Sequence, residues 1–282
     1  RARGAGARPV PGVVMTHGFS ATAAMGLAPF AQAFCDAGIA TLVYDHRNLG
    51  ESDGAPRGES NPCAQMRDQR MALGWLAARP EVDAARIGLW GTSFSGGEAL
   101  VLAACDRRIR AVVANVPFAG LAPTYPDAAE RFAAIRTAVL DESDGALSVH
   151  ARVRTGPIAV VREPGGEERA YLPQAESTEW FLAQGRRPEA KWTNRVDVVN
   201  AFGTEPPFDP GPCAAFVAPT PALLVVATED RLAATELALA AFDRMGEPKQ
   251  LVTIEGHHFV PYSGATFARA SSAARDFFLA HL

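Results

Sequence analysis

The run Arg86-Ile87-Gly88-Leu89-Trp90-Gly91-Thr92-Ser93-Phe94-Ser95-Gly96-Gly97-Glu98-Ala99-Leu100-Val101-Leu102-Ala103 passes from an apolar strand, through a turn of small residues, into a helical segment. Short apolar runs ending in turn signals, such as Arg86 to Trp90, read as buried strands. Working outward, Gly12 to Thr16, Ile39 to Tyr44 and Ile109 to Ala114 have the same character, and Ala222 to Val226 and Gln250 to Ile254 repeat it near the end of the chain. Asn61-Pro62 supplies a helix cap followed by proline in the first turn, and Ala64, Met71, Trp75 and Ala78 follow at helical spacing. Strand and helix alternating with short connections predict an α/β fold: a mostly parallel sheet with helices on both faces.

The alternation lapses after Pro117 and resumes at Ala222. The interval is rich in Pro, Gly and charge, and compact domains seldom carry so long a bare loop. It should therefore have structure of its own: a helix over Ala128 to Leu140, a short strand over Ile158 to Val161, and the aromatics Tyr125, Trp180, Phe181, Trp192 and Phe208. The expected division is a core of residues 1–120 and 220–282, with residues 121–219 as an inserted lid. Thr235 to Met245 reads as a helix, and Phe267, Ala270, Ala274, Phe277 and Phe278 mark a closing one.

Composition narrows the function classes. The chain has 282 residues, 48% hydrophobic and 21% charged, enough to bury a substantial core. Lys plus Arg number 27 against 31 Asp plus Glu, giving 27 − 31 = −4, with no basic surplus to hold a nucleic-acid backbone. Cys35, Cys63, Cys105 and Cys213 are scattered and form no CxxC pair, so no metal site is signalled and free thiols in a reducing compartment are expected. No stretch has the apolar length of a membrane span, and the opening Arg1-Ala2-Arg3-Gly4 carries no apolar signal core. A cytoplasmic location is expected, with no membrane partner.

The Gly91-Thr92-Ser93-Phe94-Ser95 turn resembles the nucleophile elbow of the α/β-hydrolase superfamily, in which a sharp strand-to-helix turn presents a serine at the carboxyl edge of the sheet. Gly91 meets the demand for a small residue two positions before the nucleophile, and Ser95 stands where the pattern has its second glycine. The resemblance implies Ser93 as nucleophile; a frame using Ser95 instead would carry the serine two residues beyond the strand. It also implies an acid and then a histidine, in that order, at later strand ends. Thr228-Glu229-Asp230-Arg231 and Glu255-Gly256-His257-His258-Phe259 follow the last two strands. By likeness to the family, Asp230 is favoured over Glu229 as the acid and His258 over His257 as the base. Met15-Thr16-His17-Gly18-Phe19-Ser20 resembles the family's oxyanion loop, which implies backbone amides of Phe19 and Phe94 as donors, with His17 bracing the loop rather than acting as base. Tyr44 to Gly54 is also a family-like segment, in which a bracing network of Asp45 and Arg47 is expected over a substrate clamp.

The resemblance covers about Pro11 to Leu282 and places the lid between the sixth and seventh strands of the family fold. Family members carry a further strand pair ahead of the first strand, for which Arg1 to Pro11 is too short. Trp90 to Gly97, the lid stretch Trp192-Thr193-Asn194-Arg195-Val196 and the terminal His258-Phe259-Val260-Pro261-Tyr262 look like the dienelactone-hydrolase-like branch, which includes bacterial esterases and fungal polyketide transferases. The implied function is hydrolysis of a small-molecule acyl ester or thioester through an acyl-enzyme, needing no metal and no cofactor. Acyl transfer through the same intermediate is the alternative, and a non-catalytic ligand-binding protein of the same fold is the reading from another class. Homodimerisation is left open.

Overall fold

The computed structural model describes residues 8–140, 153–202 and 207–282. Among the described residues ten strands run in chain order: β1 (Val10–Thr16), β2 (Ala40–Val43), β3 (Glu59–Ser60), β4 (Val82–Thr92), β5 (Ala111–Asn115), β6 (Arg154–Val161), β7 (Ala170–Leu172), β8 (Val196–Val199), β9 (Ala222–Ala227) and β10 (Lys249–Ile254). The helices are α1 (Leu27–Asp36), α2 (Pro62–Ala77), α3 (Phe94–Cys105), α4 (Ala128–Leu140), α5 (Ala175–Gly185), α6 (Thr235–Arg244) and α7 (Gly264–His281). Six strands form the main sheet in the order β10-β9-β5-β4-β1-β2, and every pairing within it is parallel. This is the sheet the apolar runs predict.

The strands are apolar without alternation because both faces are covered. Val13 and Met15 of β1, Val113 of β5, and Leu223 and Val225 of β9 enter one core with Phe30 and Phe34 of α1 and Phe278 of α7. Their neighbours Val14, Val112, Leu224 and Val226 point the other way into a second core with Leu73 of α2 and Leu100 of α3. Successive side chains on a strand face opposite sides, so each run feeds two layers. A buried phenylalanine such as Phe278 contributes about 1.5–3 kcal/mol relative to exposure, and α1 and α7 are held chiefly by such contacts.

Helix α2 starts as expected, with Asn61 at the N-cap accepting from the Ala64 amide at 3.3 Å. Its buried face differs from the expected one. Met71 is 73% and Trp75 52% exposed, while Gln65, Met66, Gln69, Leu73 and Leu76 turn inward. The cause is a polar partner across the interface: the Gln69 amide donates to the buried Glu98 carboxylate of α3 at 2.6 Å. Trp75 is covered instead by the Arg79 guanidinium, 4.3 Å from its ring centre.

Three strands between β5 and β9 join β3, from the loop ahead of α2, in a second sheet ordered β3-β8-β6-β7, in which β6 runs antiparallel to β8. The expected helix Ala128 to Leu140 is present as α4, and the strand expected from Ile158 starts four residues earlier. Strand β8 carries a charge in its centre, Asp197, which together with Glu59 of β3 grips Arg154 of β6. Trp192 donates from Nε1 to Ser20 O at 2.9 Å, and Thr22 donates to Ala190 O at 2.8 Å, tying this layer to the loop after β1. Residues 141–152 and 203–206 of the expected lid, and the opening residues 1–7, lie outside the described residues. All four cysteines are free.

Candidate active site

Ser93 sits between β4 and α3 with φ 57° and ψ −121°, a conformation that costs a non-glycine residue of order 1–3 kcal/mol. The surroundings hold it there. Its carbonyl accepts from the amides of Gly96, Gly97 and Phe118 at 2.9, 3.2 and 2.9 Å, and its own amide donates to Asn115 O at 2.9 Å. A Cβ on Gly91 would lie 2.1 Å from the backbone oxygen of Ser95, and one on Gly97 would lie 2.2 Å from that of Phe118. Larger residues at either position would push the turn open.

His258, in the loop after β10, lies 2.9 Å from Ser93 Oγ through Nε2 and donates from Nδ1 to Asp230 Oδ2 at 2.6 Å. Asp230, in the loop after β9, also accepts from the amides of Leu232 and Ala233 through Oδ1, at 2.9 and 2.8 Å. Burial by itself would raise the Asp230 carboxyl. The His258 hydrogen bond and charge, with the two amides, outweigh burial and hold it below the ordinary carboxylate value. The arrangement can take a proton from the serine hydroxyl and stabilise the imidazolium that results.

The loop after β1 closes the other side of Ser93. A Cβ on Gly18 would lie 2.9 Å from Ser93 Cβ and 3.4 Å from its Oγ, so only glycine lets the loop approach this closely. The amide of Phe19 follows directly. The amide of Phe94 opens α3, where helical N–H groups have no partner within the helix. Neither amide has a hydrogen-bond acceptor among the described residues. His17 is fully buried and braces this loop: Nε2 accepts from the His46 amide at 3.0 Å, which puts its proton on Nδ1, 3.0 Å from Gly18 O. Burial pushes its pKa down.

The remaining candidates fall elsewhere. Glu229 and His257 are exposed, and the His257 Nδ1 accepts from the Phe259 amide at 3.2 Å. Ser95 is sealed beneath the turn, with its Oγ 2.9 Å from His46 Nε2 and 2.8 Å from Glu98 Oε2. Asp45 braces its loop by accepting from the amides of Ala23 and Glu51 at 2.6 and 2.7 Å, whereas Arg47 pairs with Asp68 of α2 and not with Asp45. Asp68 takes the Arg47 guanidinium in a two-point contact, so the expected Asp45–Arg47 network is replaced by two separate braces.

Ser93 and His258 open onto a cavity of about 260 Å³ walled by rings, among them Phe19, Phe94, Tyr171, Trp180 and Phe202. Of the aromatics singled out between Pro117 and Ala222, Trp180 and Phe181 line it, Phe208 packs behind Phe94, and Tyr125 is taken up by Asp209. The Glu98–Ser95–His46 cluster lies outside the family motifs; its one signal in the sequence is an acidic residue, Glu98, directly ahead of the apolar run Ala99 to Ala104. Among the described residues no group of His, Cys, Asp and Glu could hold a metal ion, and no helix is long and apolar enough to cross a membrane.

Comparison with known proteins agrees with the architecture. The chain is 28% identical over 260 residues to a thiohydrolase of Eupenicillium brefeldianum, covering 91% of this chain and 82% of that protein. It is 28% identical over 265 residues to the polyketide transferase claH of Penicillium crustosum, covering 92% and 84%. Among solved structures, the α/β hydrolase GrgF from Penicillium sp. sh18 superimposes with a TM-score of 0.74 at 26% identity, covering 97% of this chain and 91% of that one. The model of the family described as X-Pro dipeptidyl-peptidase (S15 family) matches residues 4–260, and with an α/β-hydrolase fold the chain belongs to that family.

Proposed function

We propose that the chain is a serine hydrolase acting on an ester or thioester through an acyl-enzyme on Ser93. His258 Nε2 takes the hydroxyl proton as Oγ attacks the acyl carbonyl, and Asp230 keeps the imidazole in the tautomer that can accept it. The amides of Phe19 and Phe94 donate to the oxygen on which charge develops. Collapse expels the thiol or alcohol with the proton from His258, and water repeats the cycle to release the acid. The observation that carries this reading is the pair of contacts of one imidazole, 2.9 Å to Ser93 and 2.6 Å to Asp230.

Residues 121–219 act in this reading as a lid, because Tyr171, Leu172, Gln174, Trp180, Phe181 and Phe202 supply one wall of the cavity. The four free cysteines fit a cytoplasmic enzyme. An ester or thioester suits the site better than a peptide amino terminus. A dipeptidyl-peptidase must hold a free ammonium group, and no carboxylate lines the cavity among the described residues. Acyl transfer is the second reading, favoured by the similarity to a polyketide transferase. A fluorophosphonate should label Ser93, located by peptide mass. Absence of the adduct on folded protein would replace catalysis by ligand binding. Free acid measured against acyl-acceptor product from a model thioester separates hydrolysis from transfer.

A further inference from the structure

The two donors to the developing oxyanion stand on different loops: the Phe19 amide on the loop after β1, the Phe94 amide at the start of α3. They can grip one oxygen only if the gap between the loops is fixed. In the main sheet β1 lies between β2 and β4. A side chain from the loop after β2 therefore reaches the elbow after β4 only by way of the loop after β1. His46 makes that crossing and bonds to both. Its main-chain amide donates to His17 Nε2 at 3.0 Å, and its ring Nε2 lies 2.9 Å from Ser95 Oγ.

Each bond leads to one donor. The His17 Nδ1 proton goes to Gly18 O at 3.0 Å, and that oxygen shares one planar trans peptide unit with the Phe19 N–H. The two groups of such a unit point in opposite directions, so gripping the oxygen aims the amide. On the other side Ser95 follows Phe94 in the first turn of α3. Its hydroxyl gives its own proton to Glu98 Oε2 at 2.8 Å, so the His46 ring is the donor in the contact between them. Burial, with the neighbouring His17, pushes the His46 pKa well down and keeps the ring neutral. His17, His46 and Ser95 are all buried, so water does not compete for these bonds. We propose that His46 is a positioning residue that sets the spacing of the oxyanion donors, its main chain holding the Phe19 half and its ring the Phe94 half. This inference rests on the acyl-enzyme reading of Ser93.

The test compares 4-nitrophenyl acetate with 4-nitrophenyl thionoacetate, in which sulfur replaces the carbonyl oxygen. Sulfur is larger and a poorer acceptor, so the oxygen-over-sulfur ratio of kcat/KM, divided by the same ratio for hydroxide, reads the hydrogen bonds to the oxyanion. His46→Leu and Ser95→Ala remove the ring's bond from either end. Each should lower kcat by about tenfold or more with KM within about twofold, and shrink the normalised ratio by about tenfold. Gln carries its Nε2 as many bonds from Cα as His does, so His46→Gln should stay within about threefold of the wild type in both readings. The double variant should lose no more than about twofold beyond the worse single one, because both changes break one contact.

An unchanged ratio in folded His46→Leu or Ser95→Ala overturns the proposal, as does a His46→Gln enzyme as impaired as His46→Leu, or losses that multiply in the double variant. If His46→Leu does not fold, Ser95→Ala, which takes away one hydroxyl, carries the same comparison. The fluorophosphonate adduct reports Ser93 separately. Its absence in the wild type removes the acyl-enzyme reading and this inference with it, whereas an adduct with unchanged ratios removes this inference alone.

Discussion

Two residues beyond Ser93, the hydroxyl of Ser95 donates a 2.8 Å hydrogen bond to Glu98 Oε2, and both side chains are sealed from solvent. A carboxyl group thus lies directly under the turn that presents Ser93, with Gln69 of α2 on its other side at 2.6 Å. Burial is the dominant influence on it. The Ser95 and Gln69 hydrogen bonds act in the opposite sense but do not outweigh burial, and the acid's pKa is pushed up to about 8.

That shift makes stability depend on pH in a definite direction. Between the ordinary glutamate value and about 8, the folded chain holds a proton on Glu98 that the unfolded chain has released. The contribution is therefore complete at acid pH and is lost as the pH rises through that window, by at most about 1.4 kcal/mol per pH unit. Glu98→Gln keeps an oxygen for Ser95 and Gln69 and cannot ionise. Urea unfolding at pH 5 and pH 8 should show a smaller loss for Glu98→Gln than for the wild type, and parallel losses would refute the buried neutral acid.

The two adjacent histidines should separate cleanly. His258→Ala removes the group in contact with both Ser93 and Asp230 and should lower kcat by at least about 10³-fold. His257→Ala removes an exposed ring whose Nδ1 accepts from the Phe259 amide and that has no contact with Ser93 or Asp230 among the described residues, and should leave kcat within about threefold. Steady-state rates on a model thioester decide it; comparable losses would mean the base is misassigned.

Asp230→Asn should be severe without unfolding the protein. The loop would keep its bonds to Leu232 and Ala233 through one side-chain oxygen, while the amide nitrogen facing His258 Nδ1 would favour the wrong tautomer. A loss of about 10⁴-fold in kcat is the scale known for this change in a serine protease triad. A fall in kcat below tenfold, with thermal unfolding unchanged, would show that Asp230 does not orient the base.

Two glycines around Ser93 should fail in different ways. Gly91→Ala forces a Cβ to 2.1 Å from backbone, which nothing flexible can relieve, so the folded yield or the melting temperature should collapse. Gly18→Ala meets Ser93 Cβ at 2.9 Å in a loop that can shift, so the protein should fold while kcat/KM drops by about tenfold or more. Thermal melts alongside activity distinguish the two; a Gly18→Ala protein with full activity would remove the loop from the site.

Much of the molecule was legible because its signals are local. Apolar runs such as Leu223 to Val226 mark strands covered on both faces, and the Gly91 to Gly97 turn carries its steric demand in its own residues. Helix α2 misled because its inner face is set by a partner. Gln69 is buried for the sake of Glu98, 29 residues away, and hydrophobic periodicity weighs each position alone. Strand β8 escaped notice for the same reason, since Asp197 at its centre is satisfied by Arg154 from another strand.

By itself, the sequence determined the parallel sheet, the order of its strands along the chain and the elbow at Ser93, since side-chain size and apolar spacing act over a few residues. The tertiary structure alone brought one imidazole of the His257-His258 pair against Ser93 and buried Glu98 beneath the turn, with Gln69 as its partner. Those outcomes depend on distances between groups 28 to 165 residues apart, and such distances exist only once the two cores have closed around the sheet.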